Sequence, residues 1–247
     1  MSELSHKRRK TPEFSSGTTF DAPLPDGQYA ADAASKLPLA EVLAERIANA
    51  VIKGEIAPGE HVREQDLGEM FGISRGPVRE ALRILEGDGF VRIEPYRGAK
   101  ITMTSEREVQ AALEMQIALF STAARLAAEY ASEAEIAEMQ ALAARLQEIA
   151  DDPDTTAREF MDVSLETTWL VIHAGGSERL SKTIRSLRRM TRPDRWVLGM
   201  ATKARKRKAA HQWVKLVEAI HARDVERAET LARIRVRQLH RLTRGSQ

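Results

Sequence analysis

The segment Phe71-Gly72-Ile73-Ser74-Arg75-Gly76-Pro77-Val78-Arg79-Glu80-Ala81-Leu82-Arg83-Ile84-Leu85-Glu86-Gly87-Asp88-Gly89-Phe90 decides how the rest of this chain is read. As a helix beginning at Arg75, it sets Arg75, Arg79 and Arg83 four residues apart on one face, and Val78, Leu82 and Leu85 on an adjoining one. Ser74 suits the N-cap, and Pro77 falls in the first turn, where a missing N–H has no helical partner to lose. A preceding helix is expected over 64–71, with Gly72 in the turn between the two because a tight turn favours a residue that tolerates positive φ. Beyond Gly87 and Gly89, 90–93 and 100–103 read as two short strands joined by 94–98, which carries Pro95 and Gly98 as turn signals. The pattern predicts a helix-turn-helix followed by a small β-hairpin wing.

Three arginines at helical spacing can form nothing more than a solvated face. Here they lie at the N-terminal end of the second helix of a helix-turn-helix, the part that enters a DNA major groove. Arginine is also the side chain best shaped for bidentate contact with guanine edges and phosphates. Double-stranded DNA is therefore the expected partner. Arg63 and Gln65, at the start of the preceding helix, are secondary candidates for phosphate contact, a solvent-facing role being equally open to both.

Three separated motifs, in this order and spacing, resemble the GntR family of bacterial transcriptional regulators: Gly54-Glu-Ile-Ala-Pro-Gly59, Ser74-Arg-Gly-Pro-Val-Arg-Glu-Ala-Leu82, and Gly89-Phe-Val followed by Arg97-Gly98. The resemblance covers residues 37–104. It implies a dimeric winged-helix repressor or activator that binds an imperfect palindromic operator and carries a C-terminal domain for a small effector. By position, Arg75 and Arg79 match the family's DNA-contacting arginines, Ser74 the polar residue before them, and Gly98 the wing-tip glycine that enters the minor groove. Arg97 precedes it. Gly76 stands where threonine is commoner, so one hydroxyl contact is missing.

Composition bounds the rest. The 247 residues suit two modest domains with ample apolar content. There is no cysteine, hence neither disulfide nor thiolate chemistry. No apolar run approaches the length of a membrane span, and the first ten residues lack a following apolar segment, so a soluble, cytoplasmic protein is expected. Net charge is only +2, and 37–104 holds more carboxylates than basic side chains. DNA binding must therefore come from the placement of Arg75, Arg79, Arg83, Arg97 and Lys100 and not from bulk charge.

Residues 1–36 mix Ser, Thr, Gly, Pro and Asp with little apolar periodicity and read as a disordered arm. Within it, Lys7-Arg-Arg-Lys10 is either a solvated charge run or a basic arm on DNA phosphates. A first helix is expected over 39–52, with Val42, Leu43, Ile47 and Val51 on one face. From 105 to 247 the chain turns to Ala, Leu, Glu and Arg at helical period, predicting helices at 106–133, 135–150, 155–174, 178–190, 196–202, 203–222 and 225–244. The whole is mainly α: a winged helix-turn-helix domain at 37–104, then an all-α bundle that binds effector and dimerises.

That second part is similar to the FCD branch of the same family, through Ala174-Gly-Gly-Ser-Glu-Arg-Leu180 and Ala219-Ile-His-Ala-Arg-Asp-Val-Glu-Arg-Ala228. The resemblance implies four places, an Asp, a His four residues on, and two further His on the last two helices, which in that branch hold a divalent metal. Counted without gaps from Gly176 and Asp224, those places are Ser164, Thr168, Trp213 and Arg235. None is an imidazole or a carboxylate. A shift of two residues brings in Asp162 and His211 but leaves Glu166 and Arg233, a cation that cannot ligate. The expectation is a metal-free site with no cofactor. In it Arg235 grips the carboxylate of an organic acid, Ser164 and Thr168 donate hydrogen bonds, and Trp213 covers the apolar part. The opposing expectation is a site degenerated into core with Arg235 at the surface.

Two other classes compete with this reading. A DNA-binding protein whose helical domain only dimerises needs no effector. A helical di-metal enzyme needs Glu-x-x-His on two helices, and Glu218-Ala-Ile-His221 is the one such element in the helical domain, so no catalytic residue is assigned. The basic stretch from Arg185 to Lys208 is expected to be mostly a solvated, salt-bridged surface, with an anionic ligand or DNA phosphates as the alternatives.

Overall fold

The structure is a computed structural model that describes residues 38–102, 105–191, 197 and 199–244. The N-terminal arm with its Lys7–Lys10 run lies outside the described residues, as do 196 and 198 of the helix expected at 196–202, of which 197 and 199 are helical and 200–202 are not. Nine helices and three strands are described. The first six elements are α1 (Leu39–Lys53), β1 (His61–Val62), α2 (Glu64–Phe71), α3 (Arg75–Gly87), β2 (Val91–Glu94) and β3 (Gly98–Ile101). The bundle follows as α4 (Glu106–Tyr130), α5 (Glu133–Asp151), α6 (Ala157–Ala174), α7 (Glu178–Met190), α8 (Lys203–His221) and α9 (Val225–Arg244).

The helix-turn-helix forms where its pattern puts it. Gly72 ends α2 in the left-handed region at φ 67°, and the Ile73 amide donates back to the Gly68 carbonyl. Val78, Leu82 and Leu85 are buried against Leu43 and Ile47 of α1, with Leu67, Phe90 and Ile101 in the same core. Ser74 occupies the N-cap position of α3, but its side chain makes no capping hydrogen bond. The hydroxyl expected to close the helix is left exposed.

The wing is a three-stranded antiparallel sheet in the order β1-β3-β2, not a two-stranded hairpin. His61 pairs with Lys100 and Val62 with Ala99, while Val91 pairs with Ile101 and Glu94 with Gly98. A two-residue strand shows no alternation, which is why β1 is invisible in the sequence.

In the bundle, α4 is the central helix, touching α6, α7, α8 and α9. Ala123, Ala124, Ala127 and Ala128 of α4 are fully buried, as are Ala228 and Ala232 of α9, and small residues on both sides let the two backbones run close. Ser132 with Glu135, and Thr156 with Glu159, form reciprocal capping boxes that fix where α5 and α6 begin. Asp224 accepts from the Arg227 amide at 3.1 Å and starts α9 as expected. Trp213, Phe160 and Leu216 are wholly buried in this core.

Candidate nucleic-acid interface and ligand cavity

The N-termini of α2 and α3 lie side by side and carry one exposed polar network. Arg75 Nη2 donates to Gln65 Oε1 at 2.9 Å, and Gln65 in turn donates to Glu69 at 3.0 Å. Arg79 makes a bidentate pair with Glu64, both bonds at 2.8 Å. That hydrogen bond holds the Glu64 carboxyl below its usual range. Arg75 and Arg79 are thus pointed outward by groups on α2, and Glu64, which sequence reasoning passes over, fixes the guanidinium of Arg79. Arg63 is exposed at the N-cap of α2. Gly76 is also exposed, and a Cβ there would meet nothing within 4 Å, so the absent threonine is not excluded by packing.

The far end of the wing is Tyr96 and Arg97. Tyr96 is fully exposed with φ 62°, and Arg97 lies 3.4 Å from Glu94. Gly98 sits at the start of β3 with φ 88°, and a Cβ added there would come 2.4 Å from the Val62 carbonyl. Both its conformation and its contact with β1 demand glycine. The fold thus brings Gln65, Ser74, Arg75, Gly76 and Arg79 to the exposed ends of α2 and α3, and lays Gly98 of the wing against the backbone of Arg63 at the start of α2, with Arg97 beside it.

The four candidate effector residues come together inside the bundle. Ser164 Oγ accepts from Trp213 Nε1 at 3.0 Å and from Arg235 Nη2 at 2.8 Å. The Arg235 guanidinium lies over the Trp213 ring, 3.6 Å from its centroid. Thr168 donates its hydroxyl proton to the Ser164 carbonyl at 2.8 Å, so it presents lone pairs and not a donor to anything beside it. The face of Trp213 expected to cover a ligand is occupied by Arg235. Ser164, Thr168 and Arg235 line a cavity of about 60 Å³ that also includes Ile184, Arg188 and His240.

Arg235 is the unusual member. It is 7% exposed, its Nε has no hydrogen-bond partner, and no carboxylate among the described residues pairs with it. Burial alone pushes its pKa down to about 9. Burial likewise pushes Arg188, another residue that lines the cavity, down to about 10. Both are still cations at neutral pH. A hydroxyl, an indole N–H and a guanidinium do not fit a divalent cation, and no group of three or more His, Asp or Glu among the described residues is placed to hold one. Asp162 pairs with Arg158 on the surface, and His211 is exposed. Glu218 and His221 are exposed too.

The basic stretch corrects an expectation. Lys203 and Arg207 do pair with Asp151 at the surface, but Arg185, Arg189 and Lys206 are buried. Arg188, which the sequence leaves within that stretch and outside the four effector places, lines the cavity. Its signal is the i, i+4 spacing with Ile184, which places both on one face of α7.

Residues 39–101 match the family described as bacterial regulatory proteins, gntR family, and residues 111–238 match the FCD domain. The HTH-type transcriptional regulator YdhC of Bacillus subtilis is 35% identical over 86 residues, 35% of this chain and 38% of that protein. The Nta operon transcriptional regulator of Aminobacter aminovorans is 29% identical over 140 residues, 57% and 65% of the two chains. The matched stretches thus span less than two thirds of either relative. Among solved structures, E. coli McbR/YncC aligns with a TM-score of 0.65 at 21% identity, covering 85% of this chain and 98% of that one, a likeness of fold. No helix among the described residues is long and apolar enough to cross a membrane.

Proposed function

This chain belongs to the gntR family of bacterial regulatory proteins and carries an FCD domain, and we propose that it is a sequence-specific regulator whose hold on DNA is set by a small carboxylate-bearing effector. It acts in the cytoplasm as a two-fold dimer on an imperfect palindrome, each α3 reading one half-site. Arg75 and Arg79 contact base edges or phosphates, assisted by Ser74 and Gln65, while the wing reaches the adjacent groove through Arg97.

The observation that carries the effector half is Arg235. A guanidinium taken out of water without a carboxylate is costly, and here it faces a cavity while one of its N–H groups lacks an acceptor. A carboxylate bound in that cavity supplies both the missing charge and the missing acceptor. The site is metal-free on this reading: a cation that is a side chain stands where the FCD branch holds a metal ion. The alternative, a helical domain that only dimerises, leaves the charge of Arg235 unexplained.

Elemental analysis of protein purified without chelator, joined to a thermal-shift screen of small carboxylates on wild type and Arg235→Ala, tests this. The expected result is no stoichiometric transition metal, and a carboxylate-induced rise in melting temperature that Arg235→Ala abolishes. Stoichiometric zinc, nickel or manganese overturns the metal-free site. A shift that survives Arg235→Ala overturns the anchor.

A further inference from the structure

Helix α7 presents two faces to two different places. Ile184 and Arg188 line the cavity that holds Arg235. One residue further on, Arg185 and Arg189 turn to the DNA-binding domain. Arg189 Nε donates to Asp88 Oδ2 at 2.6 Å and its Nη1 to Glu41 Oε2 at 2.9 Å. Arg185 Nη1 is 3.6 Å from Glu45 Oε1, and its guanidinium lies over Trp169 at 4.3 Å. Glu41 and Glu45 belong to α1, and Asp88 is the C-cap of α3, the helix that carries Arg75 and Arg79. Met190, at the end of α7, packs against the core of the DNA-binding domain.

The Arg189 and Asp88 side chains are only 5% and 9% exposed, so their pairing depends steeply on geometry. The cavity, at about 60 Å³, is walled on one side by α7 through Ile184 and Arg188. An anion held by Arg188 pulls on α7, whose other face is tied to α1 and α3. Arg188 is the charged group on that wall, and a carboxylate has two oxygens to share between it and Arg235.

We propose that Arg188 is a second anion-binding residue beside Arg235, and that α7 carries the ligand's presence to the DNA-binding domain by shifting the Arg189 clamp on Asp88 and Glu41. This rests on the reading of the cavity as an anion site. Before an acid binds, the clamp fixes one placement of α3 against the bundle. An acid drawn between Arg235 and Arg188 repositions α7, and the clamp must then break or carry α3 with it. The two domains are coupled through ion pairs that neither DNA nor ligand touches.

The experiment uses the full chain, sodium salts of two- to six-carbon mono- and dicarboxylates, and a DNA fragment that wild type selects from a random-sequence pool. The acid that most raises the wild-type melting temperature serves as the probe, its affinity measured by calorimetry and its effect on DNA binding by fluorescence anisotropy. Wild type is expected to change its DNA affinity by about 5- to 150-fold when the acid is present. Arg188→Met should weaken acid binding about tenfold or more. Arg189→Met should still bind the acid while its DNA affinity no longer responds. Asp88→Asn, which keeps the shape of the contact and removes its charge, gives the same readout should Arg189→Met fail to fold. Acid binding by Arg188→Met equal to wild type, or a full DNA response in the clamp variants, overturns this inference alone, provided that the acid still depends on Arg235. If no acid in the panel shifts wild type, the anion-site reading falls and this inference with it.

Discussion

Arg79 and Arg235 are both arginines, and their surroundings give them opposite tasks. Arg79 is half exposed, held outward by Glu64, and adds little to folding because a solvated ion pair contributes about 0 to 1 kcal/mol. Arg79→Ala and Arg75→Ala should each cost about 1 to 3 kcal/mol in binding a selected DNA fragment while leaving the melting temperature nearly unchanged. If Arg79→Ala bound that fragment as tightly as wild type, α3 would not be the reading helix. Arg235 is buried with no carboxylate paired to it among the described residues, so Arg235→Met should raise the stability of the ligand-free protein by about 1 kcal/mol or more, read by denaturant melts. The sign follows from linkage. The folded state releases the proton of Arg235 near 9, well below where the unfolded chain does, so the penalty is present in full below about 9 and lifts above it. The gain should therefore be the same at pH 6 and pH 8. A marked loss of stability in Arg235→Met would mean that Arg235 is a structural pillar for Ser164 and Trp213.

Leu82 and Gly98 hold their elements in place for different reasons. Leu82 is 3% exposed between α3 and α1, and Leu82→Ala should remove about 2 to 5 kcal/mol of stability through transfer and cavity costs. Gly98→Ala should destabilise the wing by about 1 to 3 kcal/mol, because the added methyl meets the Val62 carbonyl at a positive φ. Urea titration checks both, and a Gly98→Ala variant as stable as wild type would contradict the close approach of β3 to β1. The helices are legible in the sequence because their apolar residues recur at helical period. Gap-free counting from Gly176 and Asp224 finds Ser164, Trp213 and Arg235 together because α6, α8 and α9 preserve that register. Gly98 reads as a turn signal, whereas its backbone is pressed against a strand too short to detect. The two faces of α7 are hidden in a run of arginines, since which of Arg185, Arg188 and Arg189 meets a carboxylate depends on Glu41, Glu45 and Asp88, far away in sequence.

At the scale of the whole molecule, the winged domain and the bundle are joined by buried ion pairs. One α3 reads only a few base pairs, so useful specificity requires two copies. Sedimentation at micromolar concentration should show a dimer, with or without the selected DNA, and monomer alone under both conditions would count against the palindromic reading. The central claim is that an anion in the Arg235 cavity governs the grip of α3 on DNA. It is tested most directly by the dissociation constant of the selected fragment, with and without the acid that most stabilises wild type, in wild type and in Arg235→Ala. A change of about fivefold or more is expected in wild type and none in Arg235→Ala. The same constant with and without acid in wild type, or an equal change in both proteins, would contradict it.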